Sequence, residues 1–192
     1  MNHVLTGKQF ADKGLIEKIF NRAKDLEDKD VRGEVPKLLN GKIIATVFFE
    51  NSTRTRLSFD SGAQKLGARV ITMADPKTSS ASKGESLEDT IRVIACYADL
   101  IVLRHPENGA AEKAASVAGI PVINAGDGYN EHPTQALYDL YSIQKELGKI
   151  DGLKIAFMAD LRYQRNVHSL VPIFCLFKNI ELYFVGPKEL AL

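Results

Sequence analysis

The five residues from Ser52 to Arg56, Ser-Thr-Arg-Thr-Arg, combine three hydroxyl groups with two guanidinium groups. They follow the apolar run from Ile43 to Phe49 and precede apolar residues at near-helical spacing, so they join a predicted buried strand to a predicted helix. The first turn of a helix presents unpaired backbone N–H groups and the positive end of the helix dipole. This combination favours an oxyanion site, and phosphate is the anion that we expect.

A simpler interpretation is that Ser52 or Thr53 only caps the helix and that the two arginines are solvated. Five such residues in succession after a buried strand favour the binding site. The spacing differs from that of the Gly-rich nucleotide-binding loop, which ends in Lys-Ser or Lys-Thr. Side chains would therefore hold the anion as much as the backbone does.

Four further polar segments fall at predicted strand ends or in loops. They are Ser79 to Ser86, Leu103 to Pro106, Asn124 to Gln135 and Asp160 to Ser169. In open parallel sheets, active residues lie at the carboxyl ends of the strands. We therefore expect these segments to contribute to the same site as Ser52 to Arg56.

The elements that must position these residues alternate along the chain. Apolar patterns predict strands over 43–49, 69–73, 100–103, 121–124, 153–158 and 180–185, and helices over 12–29, 53–66, 87–98, 110–117, 133–147 and 166–178. This alternation predicts an α/β fold with a parallel sheet flanked by helices. We expect one domain over residues 1–149 and the start of a second, incomplete domain over 150–192, because two strands and one helix are too few for an independent core.

The composition is ordinary for a soluble globular protein, with 45% hydrophobic and 26% charged residues among 192. A net charge of +1 gives no electrostatic footprint for nucleic acid or an anionic membrane. Cys96 and Cys175 lie in apolar helical patterns, which predicts buried free thiols and a reducing compartment. With no signal-peptide core and no apolar run long enough to span a bilayer, we expect a cytoplasmic protein.

Together, the five segments resemble the catalytic chains of the aspartate carbamoyltransferase family, with the motifs in the same order. Ornithine carbamoyltransferases share the turn from Ser52 to Arg56 and the His132-Pro133-x-Gln135 element. The loop that contains Lys83 and the triplet Arg104-His105-Pro106 resemble the aspartate enzymes instead. The resemblance implies the aspartate/ornithine carbamoyltransferase fold. It also implies transfer of the carbamoyl group from carbamoyl phosphate to the amine of L-aspartate in pyrimidine synthesis, without a metal or another cofactor.

The same resemblance implies the residues that contact carbamoyl phosphate. They are Ser52, Thr53, Arg54, Thr55, Arg104, His132 and Gln135. The first four of these would hold the phosphate group. The implied catalytic residues are Arg54, Thr55, Arg104, His132 and Gln135. Thr55, Arg104 and His132 would contact the carbonyl oxygen, while Gln135 would accept from the carbamoyl nitrogen.

Two further parts of the site are implied by the resemblance. Ser79 and Lys83 would reach into the site of a neighbouring subunit, which implies a homotrimer with shared active sites, and regulatory chains are possible partners. Arg165, together with Lys83, would bind aspartate. Taken alone, His132 would be a capping residue and Lys83 a solvated loop lysine.

Three residues near these motifs receive structural roles. Arg56 is expected to brace the site through an internal ion pair rather than to contact substrate. His168 and Ser169 could suggest a hydrolase pair, but adjacent helical residues do not face each other, so we interpret both as structural.

The last part of the chain departs from the family pattern. The sequence ends before a second arginine, a glutamine and a Pro-Leu element that the family uses, so we expect a truncated second domain. Ala159 and Gln164 replace glycines, Asn166 replaces threonine, and Pro172 falls inside a predicted helix at a cost of ~3 kcal/mol. Gln164 would be strained at a positive φ. The alternatives are a non-catalytic paralogue that binds carbamoyl phosphate or phosphate, and a carbamoyltransferase for another amino acid.

Overall fold

The computed structural model describes residues 3–74 and 83–191. Helices α1 to α6 comprise Lys13–Val31, Thr53–Lys65, Leu87–Ala95, Ala110–Ala118, Pro133–Leu147 and Arg165–Phe174. Strands β1 to β6 comprise Ile43–Phe48, Arg69–Met73, Leu100–His105, Val122–Asp127, Lys154–Met158 and Glu181–Val185. Short 3-10 turns cover Gly7–Phe10 and Lys188–Leu190.

The main sheet has the strand order β2-β1-β3-β4, and every pair of neighbouring strands in it is parallel. The predicted parallel sheet flanked by helices is therefore confirmed. Because the strands are parallel, their carboxyl ends meet at one edge, where the helices α2 and α5 begin. The N-terminal segment extends along β4 through a bridge between Val4 and Ile123.

Helices cover both faces of the main sheet because alternate strand residues point to opposite sides. On one face, Val47 and Ile101 pack in a buried cluster with Ile91 of α3. On the other face, Phe48 packs in a second cluster with Ala63 of α2. The central strands are thus buried on both sides, as their continuous apolar runs predicted.

Strands β5 and β6 form a separate parallel pair. A third buried cluster, which joins this pair to the first part of the chain, draws its side chains from α1, α5 and α6 and includes Ile16, Phe20, Leu140, Ile173 and Phe174. The residues of β5 and β6 themselves are exposed or half-buried. The second sheet is therefore packed on one side by a cluster that is separate from the two clusters of the main sheet.

Two strands are longer than predicted. Strand β3 continues to His105 and β4 to Asp127, rather than ending at Leu103 and Asn124. The polar residues stay in the sheet because Arg104 aligns with Phe48 of β1 and His105 with Asp127, beyond a bulge in the ladder. Periodicity alone misses such residues because they pair through the backbone.

The end of α6 also differs from the prediction. The helix ends at Phe174 rather than at Lys178, with Pro172 in its last turn. Proline removes one helical hydrogen bond there and disfavours continuation. Gln164 has φ −80°, so the strain expected there is absent, whereas Ala159 has φ +85°. The strained replacement of a glycine is therefore Ala159.

The burial predicted for the two cysteines is wrong. Cys96 and Cys175 are both exposed. Each is the residue that caps the carboxyl end of its helix, α3 or α6, where the chain turns away from the apolar face. Among the helices of the described ranges, none is long and apolar enough to cross a membrane.

Candidate active site

A cleft of about 650 Å³ opens at the carboxyl ends of β1 and β3, between the first turns of α2, α5 and α6. It is lined by Asn51, Ser52, Thr53, Arg54, Thr55, Ser58, Phe59, Arg104, His132, Thr134, Gln135, Tyr138 and Arg165. Most of the residues that the sequence singles out are thus brought together here, although they come from four separate segments.

The first turn of α2 forms one side of this cleft. Ser52 is the N-cap residue, but its side chain makes no capping hydrogen bond, and the first turn contains no acidic residue. Arg54 is exposed, while the half-buried Thr55 accepts a hydrogen bond from Arg104 Nη1 at 3.4 Å. The hydroxyls, the guanidinium and the helix dipole therefore present positive potential without a neutralising carboxylate in the turn.

Arg104 and Arg165 share a carboxylate that the sequence analysis missed. Glu50 Oε1 accepts from Arg104 Nε at 2.6 Å and from Arg165 Nη2 at 2.8 Å. Arg165 Nη1 also donates to the carbonyl oxygen of Gly128 at 2.7 Å. The position of Glu50, two residues after the end of the buried strand β1, is the only signal that could have marked it in the sequence.

The two guanidiniums remain electrostatically coupled despite this shared partner. Burial and the nearby charge of Arg165 lower the pKa of Arg104 from its ordinary value. The side chains of Arg104 and Arg165 are only 13% and 18% exposed. One carboxylate between two guanidiniums leaves an excess of positive charge, which an incoming anion would neutralise.

His132 lies at the N-cap position of α5 and is 2% exposed. Burial, followed by the charges of Arg165 and Arg104, lowers its pKa to about 3. The imidazole is therefore neutral at pH 7 and carries one N–H donor and one acceptor. Its buried Nδ1 has no hydrogen-bond partner among the described residues.

Three residues of α5 line the cleft beyond His132, and the first of them is Thr134. Gln135 follows one turn into the helix, and Tyr138 follows one turn later. Burial and the charge of Asp139 raise the pKa of Tyr138, against the opposing effect of Arg54 and Arg104. Tyr138 was not singled out from the sequence, although its spacing from Gln135 places both on one face of the helix.

Other predicted residues are not part of the cleft lining. Lys83 is exposed and does not line it, and Ser79 lies outside the described residues. The expected ion pair of Arg56 is not found within residues 3–74 and 83–191, where its buried Nε also lacks a hydrogen-bond partner. His105 is buried against Phe49, with ring centroids 4.7 Å apart. The same described residues contain no group of three or more His, Cys, Asp or Glu placed to hold a metal ion.

Known proteins resemble this chain in sequence and in structure. The catalytic subunit of aspartate carbamoyltransferase from Methanocaldococcus jannaschii is 56% identical over 192 residues, which cover 100% of this chain and 62% of that protein. A crystal structure of that catalytic subunit superposes with a TM-score of 0.91 over 100% of this chain and 62% of the other. Aspartate transcarbamoylase from Trypanosoma cruzi, in complex with carbamoyl aspartate and phosphate, has a TM-score of 0.94 at 40% identity, covering 98% of this chain and 61% of its own.

The chain spans about three fifths of the length of these relatives, 62% for the Methanocaldococcus protein. A family-level match covers its first part: residues 2–145 fit the pattern described as "Aspartate/ornithine carbamoyltransferase, carbamoyl-P binding domain". This match extends over most of the sequence and includes the β1–α2 turn, Arg104 and the beginning of α5. The chain therefore belongs to the aspartate/ornithine carbamoyltransferase family.

Proposed function

We propose that this chain acts in aspartate carbamoyltransferase catalysis, the transfer of the carbamoyl group from carbamoyl phosphate to the amine of L-aspartate. The observation that carries the proposal is the cleft in which the first turn of α2, Arg104, His132, Gln135 and Arg165 converge. Residues 1–149 would form the domain that binds carbamoyl phosphate, and residues 150–192 would open the aspartate-binding domain. The proposal retains a cytoplasmic location and a role in pyrimidine synthesis.

The phosphate group fits the side of the cleft formed by α2. Ser52, Thr53, Arg54 and Thr55 place hydroxyl donors and a guanidinium around the exposed N-terminus of the helix. Phosphate oxygens accept strongly from such groups, and the helix dipole adds to the attraction. In the transfer reaction this site also stabilises the leaving group, because negative charge accumulates on phosphate as the C–O bond breaks.

The carbamoyl group fits the side formed by β3 and α5. The aspartate amine attacks the carbonyl carbon, and an electron pair of the C=O bond moves to the oxygen. When that pair re-forms the C=O bond, phosphate leaves with the electrons of the C–O bond and takes up the proton that the amine loses. Thr55, Arg104 and His132 would contact that oxygen and stabilise its developing charge. A neutral His132 suits this role because it donates one N–H without adding a third buried cation beside the arginines. Gln135 would accept from the carbamoyl nitrogen.

Aspartate would bind on the side of Arg165. This residue is already held in the cleft by Glu50 and the carbonyl oxygen of Gly128. A guanidinium pairs well with a carboxylate in two-point geometry, and Lys83 of a neighbouring subunit would supply a second cation. Orienting the amine in this way supplies much of the rate enhancement that an enzyme can achieve without covalent catalysis.

Calorimetry with phosphate and carbamoyl phosphate, beside a carbamoyl-aspartate assay of the 192-residue chain, tests the proposal. We expect both anions to bind, with carbamoyl phosphate tighter because it also contacts His132 and Gln135. Failure to bind either anion would refute the proposal and its binding-only alternative together.

A binding protein without transfer activity is the second candidate, favoured by the unequal composition of the cleft. Four successive lining residues, Ser52 to Thr55, would hold phosphate, whereas among the described residues only Arg165 of the two implied aspartate ligands lines the cleft. Tight binding of carbamoyl phosphate with no detectable carbamoyl aspartate would support this candidate. Turnover with ornithine in preference to aspartate would instead indicate a carbamoyltransferase for another amino acid.

The same proposal includes a homotrimer with shared sites. Lys83 is exposed and outside the cleft of its own chain, which agrees with a role in the site of a neighbour. Mixing Lys83→Ala chains with Arg54→Ala chains tests this idea, since some mixed sites would carry neither substitution. Partial recovery of activity is expected, and complete absence of recovery, with mixed trimers verified by native mass spectrometry, would contradict shared sites. Regulatory chains stay a possibility raised by the family resemblance.

A further inference from the structure

A chain of hydrogen bonds behind the cleft connects His132 to the N-terminal segment. The main-chain N–H of His132 donates to the Ser169 hydroxyl at 2.8 Å, and that hydroxyl donates to Oε2 of Glu131. The main-chain N–H of Gly7 donates to the same oxygen at 3.1 Å. All four residues are buried, and hydrogen bonds in series strengthen one another in such surroundings.

This chain of hydrogen bonds joins segments that are far apart in the sequence. Gly7 begins the 3-10 turn near the N-terminus, Glu131 and His132 precede α5, and Ser169 lies in α6. Gly7 packs closely against α6, because a Cβ added to it would overlap the carbonyl oxygen of Ser169. Only a residue without a side chain fits this contact.

The N-terminal segment is itself fixed to the main sheet. The N–H of Val4 donates to Val122 at 2.9 Å, and the N–H of Asn124 donates to Val4 at 2.8 Å. The side chain of Asn124 also donates to the carbonyl oxygen of Leu5 at 2.9 Å. The segment can therefore serve as a rigid support for Glu131.

We propose that Glu131 is a positioning residue, which fixes the main chain at His132 through Ser169 and is itself held by Gly7. Among the described residues, His132 Nδ1 has no hydrogen-bond partner, whereas the main-chain N–H of His132 is bonded to Ser169, so the main chain sets where the imidazole lies. The inference rests on the proposed function, in which His132 contacts the carbamoyl group. In the proposed function the phosphate contacts would come from α2, whose lining residues are not members of this network.

The test compares a ligand that carries the amide group with one that lacks it. Phosphonoacetamide replaces the bridging oxygen of carbamoyl phosphate with a methylene group and does not hydrolyse, and inorganic phosphate lacks the amide. Loss of the buried hydrogen bonds in Glu131→Ala or Ser169→Ala should weaken phosphonoacetamide about tenfold, with phosphate unchanged within about twofold. Glu131→Gln should keep most of the affinity because an amide oxygen still accepts both hydrogen bonds.

Gly7→Ala approaches the same network from the other end and should reproduce the selective loss. Gly62→Ala is its matched control, since a Cβ at that position of α2 meets no atom within 4 Å. Dissociation constants are measured by calorimetry below the melting temperature of each variant. Unchanged affinity for phosphonoacetamide, or a parallel loss of both ligands, would overturn the inference.

A measurement on the wild-type chain keeps the inference testable if the variants do not fold. Hydrogen exchange monitored by NMR should show the His132 amide protected, because its N–H is buried and bonded to Ser169. Exchange at the rate of an unstructured peptide would overturn the proposal. A wild-type chain that shows this protection but binds phosphate and not phosphonoacetamide would refute the proposed function while leaving the network intact.

Discussion

The main sheet and the small second sheet contribute to the same cleft in different ways. In β1 every residue after Ile43 is buried, whereas β5 alternates between exposed and half-buried residues. The first region supplies a hydrophobic base, two helix N-termini and most polar groups of the cleft. The second supplies Arg165, whose guanidinium is held by Glu50 and Gly128 of the first region. A well-packed region can thus orient a functional group carried by a less buried one.

The largest difference between the two regions should appear in core substitutions. Ile101→Ala removes a side chain that is fully buried in the main sheet, and should lower the free energy of unfolding by about 4 kcal/mol. Leu182→Ala, at a half-buried position of β6, should cost only about 1 kcal/mol. Urea denaturation measures both values. Equal losses would show that the second sheet is as important to stability as the first.

Removal of the Arg54 guanidinium on α2 should give the largest effect on the affinity for phosphate. Arg54→Ala should weaken inorganic phosphate about 100-fold, or ~3 kcal/mol, since a charge-assisted contact at a helix N-terminus is lost. Arg92→Ala is the control, because Arg92 lies on α3 outside the cleft. Similar affinities for the two variants, measured by calorimetry, would remove the α2 side from the binding site.

The pKa of His132 tests the electrostatic link between the two regions, because burial and the charges of Arg165 and Arg104 hold it at about 3. The folded-state value lies below the ordinary 6.5, so the unfolded chain takes up this proton first as pH falls. Stability should therefore decrease from pH 6.5 downward, by up to about 1.4 kcal/mol per pH unit from this group. The contribution of His132 to the free energy of unfolding is fully present above the pKa that this residue has in the unfolded chain.

His132→Asn should reduce that slope between pH 6 and pH 4, as measured by urea denaturation at each pH. NMR titration should also place the His132 pKa well below the ordinary value in the free chain. Bound phosphate should raise this pKa, since its negative charge offsets the two arginines. An unchanged slope in the variant, or a His132 that titrates near pH 6.5, would contradict the prediction.

Removal of the shared carboxylate of Glu50 should change the affinity for phosphate less than Arg54→Ala does, and in the opposite direction. Glu50→Gln removes the negative charge between Arg104 and Arg165, so phosphate should bind about threefold tighter while Arg165 becomes less ordered. Glu107→Gln, at an exposed carboxylate outside the cleft, is the control and should leave affinity unchanged. Weaker phosphate binding in the Glu50 variant alone would mean that the carboxylate orients the arginines more than it neutralises them.

The smallest predicted effect concerns strain in the second region. Ala159 has φ +85°, a conformation that costs a non-glycine residue energy, so Ala159→Gly should stabilise the chain by about 0.5 kcal/mol. Ala156→Gly, in the regular strand β5, should instead destabilise it by a similar amount. Thermal unfolding compares the two. Destabilisation by both substitutions would show that Ala159 is not strained.

Local spacing in the sequence was sufficient to predict the order of the strands and helices. Helix α5 was predicted over the observed Pro133–Leu147, because a proline suited to the first turn and an apolar stripe define it locally. The strand-to-helix turn at Ser52 was predicted in the same way. Such features depend on neighbouring residues, so sequence patterns carry them directly.

Only the tertiary structure decided which groups meet. Glu50 and Arg165 are separated by 115 positions in the chain, yet they form an ion pair. The hydroxyl of Ser169 reaches the main chain of His132 from another helix. These outcomes depend on how separate elements pack, which no local periodicity encodes. The sequence determined the elements and the chemistry of the residues, and packing determined their partners.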